Sequence, residues 1–151
     1  MSKKISGLAS VALIAGTASF TSGSAVAASF SCANPTTYAT ITICNDSGVS
    51  TLDSHLGDAY NNARSYYKNR GRWSDSKAVK REQKRWIKDR NRACSSSDSK
   101  APRNYWPEQW QFDCFYNETR QRVETLMWEM PKQSWPNYYW NWCSDYSFNC
   151  N

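Results

Sequence analysis

Residues 77–94, KAVKREQKRWIKDRNRAC, decide the fold. Val79, Gln83, Trp86, Ile87 and Arg90 recur three and four residues apart, which places them along one stripe of an α-helix. Eight cations, Lys77, Lys80, Arg81, Lys84, Arg85, Lys88, Arg90 and Arg92, crowd the same stretch against two acids, Glu82 and Asp89. A helix is expected to start near Ser74, Asp75 or Ser76 and run to about Ala93. Trp86 shares its stripe with Val79 and is expected to anchor a core. Arg90 lies on that stripe too, so it must pair or snorkel if it is buried. Backbone carbonyls or an acid such as Asp53 are the expected partners.

Working towards the N-terminus, Leu52, Leu56, Ala59 with Tyr60, Ala63, and Tyr66 with Tyr67 form a second stripe over 50–69. Ser50 with Asp53 offers a cap for its start, and Gly71 ends it. The short connection makes the two helices an antiparallel hairpin. Towards the C-terminus, 95–100 is a polar linker, and Pro102 and Pro107 exclude helix from the next stretch. A third helix is expected over 113–130, with Phe115, Thr119, Arg122, Val123, Leu126, Met127 and Met130 on one face and Pro131 as its stop. The fold class is therefore all-α. The expected architecture is a small helical bundle, an antiparallel hairpin plus a third helix, with Leu52, Leu56, Tyr60, Val79, Trp86, Val123 and Leu126 in its core. The remainder, 131–151, is an aromatic segment of irregular or short helical structure.

The N-terminus reads as a secretory signal peptide. Lys3 and Lys4 precede an apolar stretch over 8–20, too short for the roughly 20 residues a membrane-spanning helix needs. Ala25, Val26 and Ala27 supply the small residues a signal peptidase accepts, so cleavage is expected after Ala27. The expected organisation is a leader over 1–27, a helical domain over 28–130 and an aromatic extension over 131–151, in the periplasm or outside the cell and without stable membrane insertion. Losing the leader removes Lys3 and Lys4 and no acid, so the formal charge falls from +6 to +4. All six cysteines lie in the exported part, where an oxidising compartment lets thiols pair. Several pairings are open to six cysteines; the one expected joins sequence neighbours, Cys32 with Cys44, Cys94 with Cys114, and Cys143 with Cys150. Metal ligation is not expected, because close-spaced cysteine pairs and histidine partners are missing.

Four stretches taken in order resemble one known family: SFSC at 29–32 with TICND at 42–46, TLDSHLGDAY at 51–60, EQKRWIKDRNRAC at 82–94, and CFYNETRQRVETL at 114–126. Together they are similar to the LprI-like lysozyme-inhibitor family. The most specific part is Gln83, Trp86, Arg90 and Cys94, and Thr119, Arg122, Val123 and Leu126 match the family's closing helix. The resemblance implies a small helical, disulfide-linked exported domain and the inhibition of lysozyme. Asn91 departs from it, standing where an acidic residue is expected after the helix arginine, and the aromatic extension lies outside the pattern.

Catalytic chemistry needs a nucleophile with a base, paired carboxylates or metal ligands. The sole histidine, His55, falls on a polar part of its helix, and Glu118, Glu124 and Glu129 read as a solvated face. The protein is expected to be no enzyme and to use no cofactor. A steric inhibitor that plugs the cleft of a lysozyme-type muramidase is the leading expectation, with lysozyme or another wall-degrading enzyme as partner. Arg85, Arg90, Arg122, Trp135, Trp140 and Trp142 are the expected partner contacts. The alternatives are an envelope protein that binds peptidoglycan or an anionic polymer, and an immunity-type protein against a wall-degrading toxin. Nucleic acid is not an expected partner, since aromatics are not interleaved with the basic stretch.

Overall fold

The computed structural model describes residues 30–95 and 99–135. Four α-helices form: α1 (Tyr38–Asn45), α2 (Ser47–Asn69), α3 (Trp73–Ser95) and α4 (Gln109–Trp128), followed by a single 3₁₀ turn at Lys132–Ser134. The expected leader, Trp140, Trp142 and the expected Cys143–Cys150 bridge lie outside the described residues.

The helix starts follow local capping chemistry and correct three expectations. First, α1 was not anticipated. Thr37 accepts from the Thr40 amide at 3.1 Å while the Thr40 hydroxyl accepts from the Thr37 amide at 3.0 Å, a reciprocal cap built from two threonines. Second, α2 begins at Ser47 and not at Ser50, because Asp46 accepts from the Val49 amide at 2.8 Å. Ser50 is about one turn inside the helix and Asp53 nearly two, and both are buried. Third, α4 begins at Gln109, a turn before the expected Asp113, where the Glu108 amide donates to Gln111 Oε1 at 2.9 Å. It stops at Trp128, two residues short of the expected end.

Between α2 and α3 the chain reverses at Gly71, whose φ of 71° is the left-handed conformation that ends many helices. Its amide donates to the Lys68 carbonyl at 3.0 Å, and the Arg72 amide donates to Tyr67 at 2.9 Å. The resulting hairpin leans on α4, which packs most extensively against α2.

Two apolar clusters form. The larger joins Leu52, Leu56, Ala59 and Ala63 of α2 to Val79 of α3 and to Val123, Leu126 and Met127 of α4, and Met130 and Trp135 complete it. Tyr60 and Trp86 are half-buried against its edge. The smaller cluster joins Ala39 and Ile43 of α1, Val49, Cys94 and Phe115. Each fully buried large side chain contributes about 1.5–3 kcal/mol. Disulfides Cys32–Cys44 and Cys94–Cys114 staple the chain before α1 to that helix, and the end of α3 to the start of α4. Each closes a loop short enough to stabilise by about 3 kcal/mol in the chain-entropy view.

Candidate functional site

The polar centre of the bundle is Arg90. Its Nη1 donates to Asp53 Oδ1 at 3.0 Å and to Thr119 Oγ1 at 3.1 Å, so one guanidinium ties α3 to α2 and α4. Nε and Nη2 both donate to Asn91 Oδ1 at 3.3 Å. Asn91, which replaces the acid expected from the family pattern, thus serves as a neutral acceptor. The guanidinium also faces two rings, 4.9 Å from the Trp86 centroid and 5.2 Å from that of Phe115. Burial pulls the Arg90 pKa below its ordinary value, and the Asp53 carboxylate pulls it back up. Arginine stays charged at any physiological pH, and here one carboxylate, two neutral side-chain oxygens and two ring faces surround the charge.

Arg122 of α4 makes a thinner arrangement. Its Nε donates to Gln83 Oε1 at 2.9 Å, while the buried Nη2 has no hydrogen-bond partner among the described residues. Burial lowers its pKa, opposed by the charges of Glu129 and then Glu82. Glu129 shifts the other way: burial and repulsion from Glu82 hold its carboxyl above the usual range, against the pull of Arg122 and Tyr67. His55 is half-buried, and its pKa is lowered by burial, opposed by Asp58.

A groove of about 540 Å³ opens beside the Arg90–Asp53 pair, between α1, α2 and α3. Leu56, Ile43 and Ile87 give it apolar walls, and the exposed Lys80 and Lys84 line it on the α3 side. Its one carboxylate, Asp53, is already bound to Arg90, so it offers no acid and base pair for general catalysis. Among the described residues no cluster of His, Cys, Asp or Glu is placed to hold a metal ion.

The expected partner contacts separate sharply. Arg85 is on the solvent face of α3, beside the exposed Lys77, Lys80, Arg81, Lys84, Lys88 and Arg92. Arg90 and Arg122 are interior, 5% and 9% exposed, and act as clamps between helices. Trp135 corrects the expectation of a surface contact. It is 6% exposed, and its indole N–H donates to the Met127 carbonyl at 2.9 Å and to the Met130 carbonyl at 3.3 Å. Those two carbonyls lie at the end of α4, where helix carbonyls have acceptor capacity to spare, although Met127 also accepts from the Met130 amide at 3.0 Å.

Sequence reasoning missed the segment 99–108. Trp106 is 72% exposed there, while its neighbours Tyr105 and Pro107 turn inward, half-buried and buried. The signal was available as an aromatic pair between two prolines.

Comparison with known proteins fits this geometry. A family model described as lysozyme inhibitor LprI matches residues 32–126, which takes in all of α1, α2 and α3 and nearly all of α4. No curated protein and no solved structure matches the chain. No described helix is long and apolar enough to cross a membrane. With the matched segment covering both staples and the Arg90 centre, the chain belongs to the LprI lysozyme inhibitor family.

Proposed function

We propose that this is an exported inhibitor of lysozyme-type muramidases, acting by steric occlusion of the cleft. Its leader spans 1–27, the inhibitory domain 28–130 and an aromatic extension 131–151, and the mature protein works in the periplasm or outside the cell. The observation that carries this reading is the family match over 32–126, because it spans the stapled bundle. The interior supports it: Arg90 and Asp53 satisfy each other, so the exterior is what remains to meet a partner. Glycosidases of the lysozyme type work with two carboxylates on either side of the scissile bond, and a donor brought between them denies the site to substrate.

The test is a turbidity assay of lysozyme on cell walls with the mature protein at graded salt. Dose-dependent loss of lysis supports the proposal, and unchanged lysis at large molar excess removes it. The mature charge of +4 repels a cationic lysozyme, and screening over about 8 Å at physiological salt weakens that repulsion. Inhibition of a cationic target therefore sets in faster as salt rises from low values.

A second reading draws on the exposed cationic face of α3. That face suits an anionic wall polymer or peptidoglycan. Retention on insoluble peptidoglycan with no effect on lysozyme favours this second reading.

A further inference from the structure

Resting on the inhibitor reading, we infer that the loop 99–108 is the segment that enters the muramidase cleft, with Trp106 as its apolar anchor and Arg103 as the donor to the carboxylates. Four observations converge on this loop. The first is exposure: Trp106 is the most exposed of the large hydrophobic side chains among the described residues, at 72%. Trp is among the residue types most enriched at the dominant contacts of protein interfaces.

The second is rigidity. The Ala101 amide donates to the Thr36 carbonyl at 3.0 Å, and Thr37 pairs with Lys100 in an antiparallel bridge. The Tyr105 amide closes a turn on the Pro102 carbonyl at 3.0 Å. The Tyr105 hydroxyl donates to Gln111 Oε1 at 2.8 Å, and its ring packs edge-on against Tyr38 with centroids 4.5 Å apart. Gln111, itself buried, donates from Nε2 to the Cys94 carbonyl at 3.3 Å, next to the Cys94–Cys114 bridge. Two prolines fix further backbone angles. A loop held at so many points loses little conformational freedom on docking, which converts contact into affinity.

The third is charge. Lys100 and Arg103 are exposed, and 99–107 contains no acid. The next residue, Glu108, accepts from the Trp110 indole N–H at 2.9 Å. The tip is thus locally cationic, complementary to a cleft that carries two carboxylates even when the target's overall charge is positive. The fourth is the contrast with the groove beside Arg90, which is concave and suits a small ligand better than an enzyme's cleft.

The experiment uses the full mature chain against a panel of c-type, g-type and i-type lysozymes. Trp106→Ala is expected to weaken inhibition by about 30-fold, and Arg103→Glu by about 10-fold, each with unchanged circular dichroism and thermal midpoint. N-acetylglucosamine trimer, which fills the cleft, is expected to compete with wild-type protein for lysozyme. Should wild type inhibit while both variants stay within about 3-fold of it, or should saturating trimer leave binding unchanged, the loop assignment falls and the inhibitor reading stands. Should wild type inhibit none of the panel, both fall together.

Discussion

Two Trp-Pro dipeptides, at Trp106 and Trp135, share a local sequence and end in opposite environments, 72% and 6% exposed. The residue before a proline is pushed towards extended backbone in either case, and Trp135 adopts it with φ −76° and ψ 136°. The difference lies in what each ring meets. Trp135 follows a 3₁₀ turn that folds it back onto the open end of α4, where two carbonyls receive its N–H. Trp106 sits between two inward-facing neighbours, Tyr105 and Pro107. The lesson is that burial of one residue exposes the next when both are held in a tethered, non-helical segment.

The largest effects should separate these two rings. Trp135→Ala removes a ring from the main cluster and should destabilise by about 3–5 kcal/mol in urea unfolding with disulfides intact. Trp106→Ala should stay within about 0.5 kcal/mol of wild type in the same measurement. Equal losses at the two positions would erase the distinction. Asp53→Ala tests the interior in another way, since it strands the Arg90 guanidinium in a site where its side chain is 4% exposed. A cost of about 3–5 kcal/mol is expected, with lysozyme inhibition retained below the lowered melting temperature.

A smaller change sharpens the comparison at the loop. Tyr105→Phe deletes the hydroxyl that donates to Gln111 and should cost about 1 kcal/mol of stability. Its clearer readout is faster proteolytic nicking within 99–108 and weaker inhibition, because the tip is then held by one contact fewer.

The smallest effect is a pH slope near the Trp135 end of the bundle. The Glu129 carboxyl titrates above its ordinary value because of burial and then Glu82. The folded protein therefore keeps a proton that the unfolded chain has released. This contribution to stability is fully present below the unfolded carboxylate pKa and is lost as pH rises through the raised folded one. Glu129→Gln should flatten the fall in melting temperature across that window while leaving the rest of the profile intact.

Much of the bundle was legible in the residues, and the reasons are specific. Arg90 on the Val79–Trp86 stripe required a partner, either backbone carbonyls or an acid such as Asp53, and the acid is the one it meets. Cys94 and Cys114 were bracketed by two helical patterns that had to meet. By contrast, α1 has only eight residues, with two threonines, a cysteine and an asparagine among them, so its buried Ala39 and Ile43 give little periodic signal. The early start of α4 was hidden because Glu108 is not among the strong capping residues. Trp106 was missed because exposure is a tertiary outcome: only the packing of Tyr105 on Tyr38 and the burial of Pro107 turn its ring to solvent.

The most direct check on a surface that acts by contact alone is the stoichiometry of inhibition. Lysis by a fixed amount of a susceptible lysozyme would be measured against increasing mature protein, with and without preincubation. A linear fall that ends near one inhibitor per enzyme, and is the same after either incubation, is the predicted result. Loss of lysozyme activity that deepens with time at substoichiometric protein would mean that a reactive group is consuming the enzyme, and would contradict the account.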